Sequence, residues 1–220
     1  TPENSGGVTM HRQLSGKVVL ATHNAGKLKE MRELMQHYGV ELVSAGDLGL
    51  AEPVENGTMY AENAAIKARA ATAATGLPAF ADDSGLSIAL LDGAPGLFTA
   101  DWAGHPRSWE RAMQRVHDEL TKRGHGVEGA SATFVSALVL TWPDGHEELF
   151  EGRCPGMLTW PPRGKAGFGY DPMFVPTGYT RTFAELSPDE KHGLPPKGAG
   201  LSHRARAFMA LAAACLKGGG

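Results

Sequence analysis

The first segment of the chain passes from one apolar period to another, which predicts a strand followed by a helix. Residues 17–22, KVVLAT, form a short apolar run with β-branched side chains, which is typical of a buried strand. After Gly26, apolar side chains recur every three or four residues from Leu28 to Tyr38, and this helical face ends before Gly39. The pattern therefore predicts a strand, loop and helix unit.

The next segment predicts a second helix and a strand that ends in acidic residues. Residues 58–75 are rich in alanine, begin with Thr58, a residue type that caps helices, and end before Gly76. Residues 78–82 are expected to form a strand, and the string Asp-Asp-Ser-Gly at 82–85 a turn at its end. Carboxylates are therefore expected where a strand ends.

The remaining chain predicts an amphipathic helix, a hairpin and a final helix. The helical pattern covers residues 108–123, and alternating patterns over 132–141 and 147–152 flank the turn Pro-Asp-Gly at 143–145. Residues 202–217 are again helical, and no internal repeat is found. The elements predict an α/β fold with a mixed central sheet flanked by helices.

The length and net charge of the chain indicate how many domains it has and which partners it does not bind. With 220 residues and 42% hydrophobic content, one compact domain is expected at 10–220, and residues 1–9 are expected to be a disordered leader or cloning remnant. The net charge of −3 provides no basic excess for binding a phosphate polymer, so nucleic acid is not an expected partner.

Cysteine spacing and hydropathy indicate a cytoplasmic protein. Cys154 and Cys215 fit no CxxC spacing, and a reducing compartment is the simpler interpretation. No apolar run approaches the roughly 20 residues needed to cross a bilayer, and no secretory signal pattern is found, so no membrane association is expected.

The loop between the first strand and helix is a candidate anion site. Residues 22–27, THNAGK, precede a helix whose free backbone N–H groups and dipole favour an anion, and Lys27 adds a positive charge. The glycines of a Walker loop are missing, and taken alone the segment is also compatible with a plain capped turn.

The acidic string is a candidate metal site. Asp82, Asp83 and Ser84 offer clustered oxygen ligands of the kind that Mg²⁺ takes, and Glu55 offers another. The alternatives are a solvated turn for the acidic string and a surface position for Lys67, which shares a predicted helix face with Asn63.

Two further segments have the composition of a base pocket. Phe168 and Tyr170 lie between glycines, where a ring can stack on a base, although an aromatic-anchored turn has the same composition. Ser202, His203 and Arg204 begin the last helix, where side chains cap the helix or point into a cleft.

Taken together and in this order, the segments resemble the inosine/xanthosine triphosphate pyrophosphatase family. The resemblance spans nearly the whole chain and rests on five motifs: THNAGK, ENGTMYAENAAIKA, ADDSGL followed by GAPG, GFGYDP and LSHRARA. It implies an elongated, two-lobed α/β fold with a cleft between the lobes, a homodimer, and a Mg²⁺-dependent hydrolysis of nonstandard purine nucleoside triphosphates such as ITP, dITP and XTP to the monophosphate and pyrophosphate.

The resemblance also implies residue roles. Glu55 and Asp83 would bind Mg²⁺, with Asp83 as the proton acceptor. The residues that would bind the substrate are Thr22, His23, Asn24, Ala25, Gly26, Lys27, Lys67, Ser84, Phe168, Gly169, Tyr170, Asp171, Lys191, His203 and Arg204. The resemblance favours Lys191, because the residues before it fit the family better, while the insert HGLPPKGAG before the last motif leaves Lys197 as an alternative.

Other nucleotide-binding classes fit the sequence less well. A Nudix hydrolase is disfavoured because its metal-binding helix signature is missing, whereas a Maf-like pyrophosphatase with another base preference stays open. A noncatalytic nucleotide-binding module is also open, although the presence of Asp83 and Glu55 argues against it. A donor such as Arg204 would favour the O6 acceptor of hypoxanthine over the amino group of adenine, but the same argument leaves the rejection of GTP unexplained.

Overall fold

One mixed sheet organises the chain in the computed structural model, which describes residues 11–216. The leader predicted at residues 1–9 lies outside this range. The strands are β1 (Lys17–Leu20), β2 (Glu41–Ser44), β3 (Ala79–Ile88), β4 (Ser131–Thr141), β5 (Glu147–Leu158) and β6 (Phe174–Pro176). Their order in the sheet is β2-β1-β3-β4-β5-β6, with β1 parallel to β2 and β3 and the remaining pairs antiparallel.

Residues 11–216 contain five α-helices. They are α1 (Ala25–Met35), α2 (Tyr60–Thr75), α3 (Trp109–Lys122), α4 (Pro188–His192) and α5 (His203–Cys215). The α/β fold with a mixed central sheet is thus confirmed, whereas β2, β6 and α4 were not predicted because each is too short to show a period of its own. Among residues 11–216, every helix is too short or too polar to span a bilayer.

Local caps fix where several helices begin and end. The side chains of Ser108 and Ser202 each accept a hydrogen bond from a backbone N–H three residues later, and Gly76 ends α2 in the left-handed conformation, as predicted. The predicted cap at Thr58 is wrong. Met59 holds that position, because the N–H and hydroxyl of Thr58 both donate to the Glu62 carboxylate instead.

The predicted acidic turn is also wrong, because residues 82–85 lie in the middle of β3. This strand pairs with β4 along its full length, from Ala79 opposite Thr141 to Ile88 opposite Ala132. The acidic side chains are tolerated there because cationic side chains from other elements neutralise them, a relation that a local sequence pattern does not contain.

The long strands β3 to β5 join two lobes. In the first lobe, α1 and α5 pack on one sheet face around Phe80 and Leu138, and α2 packs on the other face. In the second lobe, α3 packs around Leu86 and Phe134 at the far ends of the same strands. The β1 ladder stops at its pair with Phe80, so the middle of β3 lies at the junction of the lobes.

Candidate active site

A cavity of about 650 Å³ opens at the junction of the two lobes. Its lining contains every predicted site residue except Ala25 and Gly26, and therefore brings together side chains from α1, α2, β3, α4 and α5. Gly26 nevertheless lies against the site, because a Cβ atom there would stand 2.7 Å from the Phe168 ring. The size of the cavity falls within the range of pockets for small molecules.

The loop before α1 provides a lysine rather than a set of open amides. The Asn24 side chain accepts hydrogen bonds from the N–H groups of Gly26 and Lys27 at 3.0 and 3.2 Å, so the expectation of free amides fails at these two positions. Lys27 Nζ lies 2.9 Å from Asp82 Oδ1. Burial outweighs this carboxylate and lowers the pKa of Lys27.

A lysine stands between two carboxylates on the opposite wall. Lys67 Nζ lies 3.1 Å from Glu55 Oε1 and 3.8 Å from Asp83 Oδ1, and it donates to the backbone oxygen of Asp82 at 2.8 Å. Burial, opposed by the Lys67 charge, raises the pKa of Asp83 to about 6. Lys67 is therefore a cleft residue and not the surface lysine that its segment alone also allowed.

Arg204 lies beneath the cleft floor with its side chain tied to carboxylates. It is 1% exposed, contacts the Glu30 carboxylate through Nη1, and directs Nη2 to Ser84 Oγ at 3.0 Å and Asp82 Oδ1 at 3.4 Å. Burial disfavours the ionised Asp82, yet Arg204 and Lys27 hold its pKa well below the ordinary value. Arg204 and the THNAGK loop therefore share one carboxylate.

The structure distinguishes between the two candidate lysines. Lys191 is buried in α4, with Nζ 2.6 Å from Glu30 Oε1 and 2.7 Å from Asp171 Oδ2, and it lines the cavity. Lys197 is exposed and is not part of the cavity lining. Lys191 is therefore the lysine that the fold brings to the cleft.

The two aromatic residues of GFGYDP have different surroundings. The Phe168 ring lies 5.2 Å from Lys191 Nζ and 5.8 Å from the centre of the Arg204 guanidinium. Tyr170 is buried against Trp109 and donates its hydroxyl to the backbone oxygen of Thr99 at 2.7 Å. Phe168 is thus the ring available for stacking, whereas Tyr170 is held by contacts within the second lobe.

His203 contributes a neutral ring to the second-lobe wall. It stacks on Phe134 with ring centroids 4.7 Å apart. Burial and the neighbouring Arg204 keep the pKa of His203 well below its ordinary value, so the imidazole is neutral at pH 7.

Glu30 was missed by sequence reasoning, although it pairs with two of the predicted site residues from beneath the cavity. Its two carboxylate oxygens bind Lys191 and Arg204, and these cations hold its pKa below the ordinary value despite the cost of burial. A signal was present in the helical period, because Glu30 lies on the same face as Lys27 and Leu34, at separations of three and four residues. Its partners lie too far away in sequence for that pattern to name them.

Comparisons with known proteins identify the family of the chain. A model of the Ham1 family matches residues 18–214. The chain belongs to the Ham1 family. A dITP/XTP pyrophosphatase of Rhodopseudomonas palustris is 59% identical over 210 residues, which cover 95% of this chain and all of the relative. A second dITP/XTP pyrophosphatase, from Zymomonas mobilis, is 52% identical over 92% of this chain and 93% of its own.

Solved structures of Ham1 family proteins share the fold. A HAM1 protein from Coxiella burnetii matches with a TM-score of 0.77 and 36% identity, over 90% of this chain and 96% of its own. A nucleoside-triphosphatase or dITP/XTP pyrophosphatase from Mycobacterium abscessus matches with a TM-score of 0.68 and 39% identity, over 89% and 98% of the two chains. The family resemblance inferred from the five motifs is thereby confirmed.

Proposed function

We propose that this Ham1 family protein hydrolyses ITP, dITP and XTP to the monophosphate and pyrophosphate with the help of Mg²⁺. The observation that carries the proposal is the pairing of two walls in one cleft. On one wall, the carboxylates of Glu55 and Asp83 both lie within 4 Å of the Lys67 ammonium group. On the other wall, the Phe168 ring lies next to Lys191 and Arg204. The first suits a polyphosphate with its metal, and the second suits a flat base rich in acceptors.

The residues present fit a magnesium ion. Glu55 and Asp83 are both within 4 Å of the Lys67 ammonium, so a cationic group already stands between the two carboxylates. An all-oxygen donor set on one or two carboxylates is the set that Mg²⁺ takes beside substrate phosphates. When bound, the ion would neutralise phosphate charge and lower the pKa of water.

The phosphates would lie between Lys27 and Lys67. Both ammonium groups line the cavity and approach Asp82 from opposite sides, Lys27 at its carboxylate and Lys67 at its backbone oxygen. Positive charge placed on the leaving pyrophosphate stabilises the charge that grows there in the transition state. This arrangement favours cleavage between the α and β phosphates when the base occupies the other wall.

Asp83 is suited to accept the proton of the attacking water. A carboxylate with a pKa of about 6 is a stronger base than an ordinary aspartate and is still ionised at pH 7. Asp82 has the opposite character. Its charge is committed to Lys27 and Arg204, so it holds the two cations in position and does not take up a proton.

The base would stack on Phe168 with its O6 edge toward Lys191 and Arg204. Hypoxanthine and xanthine present a hydrogen-bond acceptor at O6. Adenine has an amino group there, which is itself a donor, so the cationic donor of the protein would have no acceptor to pair with. Ser84, which binds Arg204 Nη2, helps to fix the guanidinium in place.

A pyrophosphate-release assay tests the proposal. The full chain is incubated with ITP, XTP, ATP and GTP, with and without Mg²⁺, and the products are identified by chromatography. Monophosphate and pyrophosphate from ITP or XTP, formed only with the metal, are expected. Orthophosphate and a diphosphate as products would refute the cleavage site, and binding of ITP without turnover would favour a sensor module.

The proposal extends to a cytoplasmic homodimer, on the basis of the family resemblance. The free thiols of Cys154 and Cys215 are both buried and are compatible with a reducing compartment. Light scattering after size-exclusion chromatography tests the dimer, for which twice the monomer mass of 23.2 kDa is expected. A monomer at micromolar concentration would contradict it.

A further inference from the structure

Three potential metal ligands meet at the end of α5 that is remote from the cleft, and a fourth lies beside one of them. The ligand atoms of His11, Glu148 and Cys215 all lie within 4.8 Å of one another. His11 Nδ1 is 2.5 Å from Glu148 Oε1, and Cys215 Sγ is 3.3 Å from Glu148 Oε2. His146 Nε2 points to the same carboxylate at 3.6 Å.

One of these ligand atoms has no hydrogen-bond partner among residues 11–216. It is His146 Nε2, which is buried and whose distance to Glu148 exceeds that of a hydrogen bond. A buried, unpaired imidazole nitrogen costs free energy unless something pairs with it. It lies beside the Glu148 carboxylate, which also contacts the Cys215 thiol and the His11 imidazole, so a metal ion at that carboxylate would be within its reach.

We propose that His11, His146, Glu148 and Cys215 bind one divalent metal ion of the zinc class. With bonds of about 2.0–2.3 Å, tetrahedral ligand atoms stand roughly 3.3–3.8 Å apart. The ligand atoms of His11, Glu148 and Cys215 already lie within 4.8 Å of one another, and His146 Nε2 would move in from beside Glu148 to complete the set. The set of two imidazoles, one thiolate and one carboxylate suits Zn²⁺ or Co²⁺ and does not suit Mg²⁺, which prefers oxygen alone.

Coordination needs protons to move at two of the ligands. The His11 Nδ1 proton, which is shared with Glu148 Oε1, would move to Nε2 or leave to solvent so that Nδ1 can bind the ion. The Cys215 thiol donates its hydrogen to Glu148 Oε2, and a metal ion would take the place of that proton, which leaves to solvent. The Glu148 carboxylate would then contact the ion in place of the thiol hydrogen. No oxidation or reduction takes part.

The location indicates a structural ion. Four protein ligands complete a tetrahedral shell, which is the arrangement of structural rather than catalytic zinc. The ligands come from the segment before β1, the hairpin between β4 and β5, and the last turn of α5, so the ion would join three distant parts of the chain. Cys215 is eleven positions after Arg204 along α5, or about 16 Å at 1.5 Å per residue, so the ion is separate from the cleft.

Cobalt titration of the full chain tests the site. The reduced protein, with excess Mg²⁺ to occupy the oxygen ligands of the cleft, is titrated with Co²⁺. One equivalent is expected to produce the near-ultraviolet absorption of a cobalt thiolate together with the visible bands of four-coordinate cobalt. Zn²⁺ should then remove the colour at one equivalent. Binding in the cleft alone would produce no thiolate band and would overturn the proposal.

Three variants complete the test. Cys215→Ser should lose the thiolate band, and His146→Gln, on the hairpin, should weaken cobalt binding at least about tenfold. Cys154→Ser is the matched control, because Cys154 is equally buried but six residues from Glu148 along β5, or about 20 Å. A band that persists in Cys215→Ser, a band lost in Cys154→Ser, or unchanged affinity in His146→Gln would each refute the site.

A thermal measurement is independent of colour. Zn²⁺ should raise the Tm of the wild type, because a ligand bound only by the folded state stabilises it, and should leave the Tm of Cys215→Ser unchanged. Pyrophosphate release by both cysteine variants in a chelator buffered with Mg²⁺ should match the wild type, which verifies that they are folded. An equal Zn²⁺ effect on the Tm of both proteins would contradict the assignment.

Discussion

Two adjacent aspartates show how strongly single positions differ in this site. Side chains alternate across a strand, so Asp82 faces α1 and α5, where it meets Lys27 and Arg204, while Asp83 faces α2 and meets Lys67. The pKa of Asp82 is held well below its ordinary value, and that of Asp83 rises to about 6. One neighbour is therefore a fixed charge and the other a group that can exchange a proton.

Replacing Asp83 by Asn should lower kcat by about 10²–10⁴-fold, the range for loss of a general base, and leave the fold intact. The matched control is Asp92→Asn, at an exposed aspartate paired with Arg123, which should keep the wild-type rate. Steady-state pyrophosphate release measures both. A near-normal rate for Asp83→Asn at saturating Mg²⁺ would remove Asp83 from the mechanism.

The pKa of Asp83 also sets a pH dependence. Below pH of about 6 the carboxyl is protonated and cannot accept a proton, so kcat/KM should fall about tenfold per pH unit at low Mg²⁺. Because a cation favours the ionised form, added Mg²⁺ should move this acid limb to lower pH. If kcat/KM instead begins to fall only near the ordinary pKa of 3.8, and Mg²⁺ does not change that pH, Asp83 is not the proton acceptor.

The raised pKa of Asp83 also predicts how the stability of the protein changes with pH. The folded-state pKa of about 6 lies above the ordinary 3.8, so between these values the folded protein binds more protons than the unfolded chain. The contribution of Asp83 to the free energy of unfolding therefore decreases as pH rises through this window. Urea titrations of wild type and Asp83→Asn at pH 4 and 7 measure the difference.

Arg204 should determine the choice of base. Arg204→Lys keeps a positive charge opposite Glu30 and Asp82 but loses the planar fork. A lost guanidinium hydrogen bond to O6 is worth roughly 1.5–3 kcal/mol, so the ITP-to-ATP ratio of kcat/KM should drop about ten- to hundredfold. Equal losses for both nucleotides would instead place Arg204 with the phosphates or with the fold alone.

At the scale of elements, β3 is both a central strand of the sheet and the element that carries several site residues. Its middle carries Asp82 to Gly85, where polar side chains on both faces point into the cleft region, and Gly85 lets a neighbouring segment approach. A Cβ atom on Gly85 would lie 2.4 Å from the backbone oxygen of Gly96 and 2.6 Å from the Tyr60 hydroxyl. The strand therefore requires glycine for close packing.

Gly85→Ala should destabilise the protein by about 1–3 kcal/mol, the range for overpacking, because a backbone oxygen must move. Gly126→Ala is the matched control, since its Cβ would meet no atom within 4 Å and its backbone needs no left-handed conformation. That variant should change the free energy of unfolding by less than about 0.5 kcal/mol. Chemical denaturation compares them, and equal stabilities would refute the close-contact argument.

Across the whole molecule, one ion network joins elements that are distant in sequence. Glu30 in α1 forms ion pairs with Lys191 in α4 and with Arg204 in α5. Lys191 also pairs with Asp171, and Arg204 also pairs with Asp82 in β3. The members are buried, so losing one charge leaves another without compensation. The network thus connects the stability of the fold with the position of the cations in the cleft.

Glu30→Gln should therefore cost about 3–5 kcal/mol of unfolding free energy, the range for breaking a buried ion pair, and raise KM for ITP. The control Glu119→Gln removes a surface pair with Lys122 on α3 and should cost less than about 1 kcal/mol. Denaturation at pH 7 with kinetics at low temperature separates the two effects. Equal costs for the two variants would mean that the network contributes no more than a surface pair.

Much of the fold was predictable because it depends on short-range physics. The periods of β1, α1, α3 and the β4–β5 hairpin are visible in the sequence, and caps such as Ser108 and Ser202 act within three residues. The chemistry of the site was also visible, since the motifs place lysines, carboxylates and an aromatic ring in segments that the fold brings to one cavity.

Only the tertiary structure decided which of these groups are paired and which are open. Glu30 lies 161 residues from Lys191 and 174 from Arg204, and no local pattern encodes contacts over such separations. For the same reason the acidic string was mistaken for a turn, and Lys191 could not be preferred over Lys197 on spacing alone. The sequence by itself determined which groups the cleft contains, because residue identity and local periodicity are short-range properties; their pKa values and partners depend on burial and on long-range charge pairing.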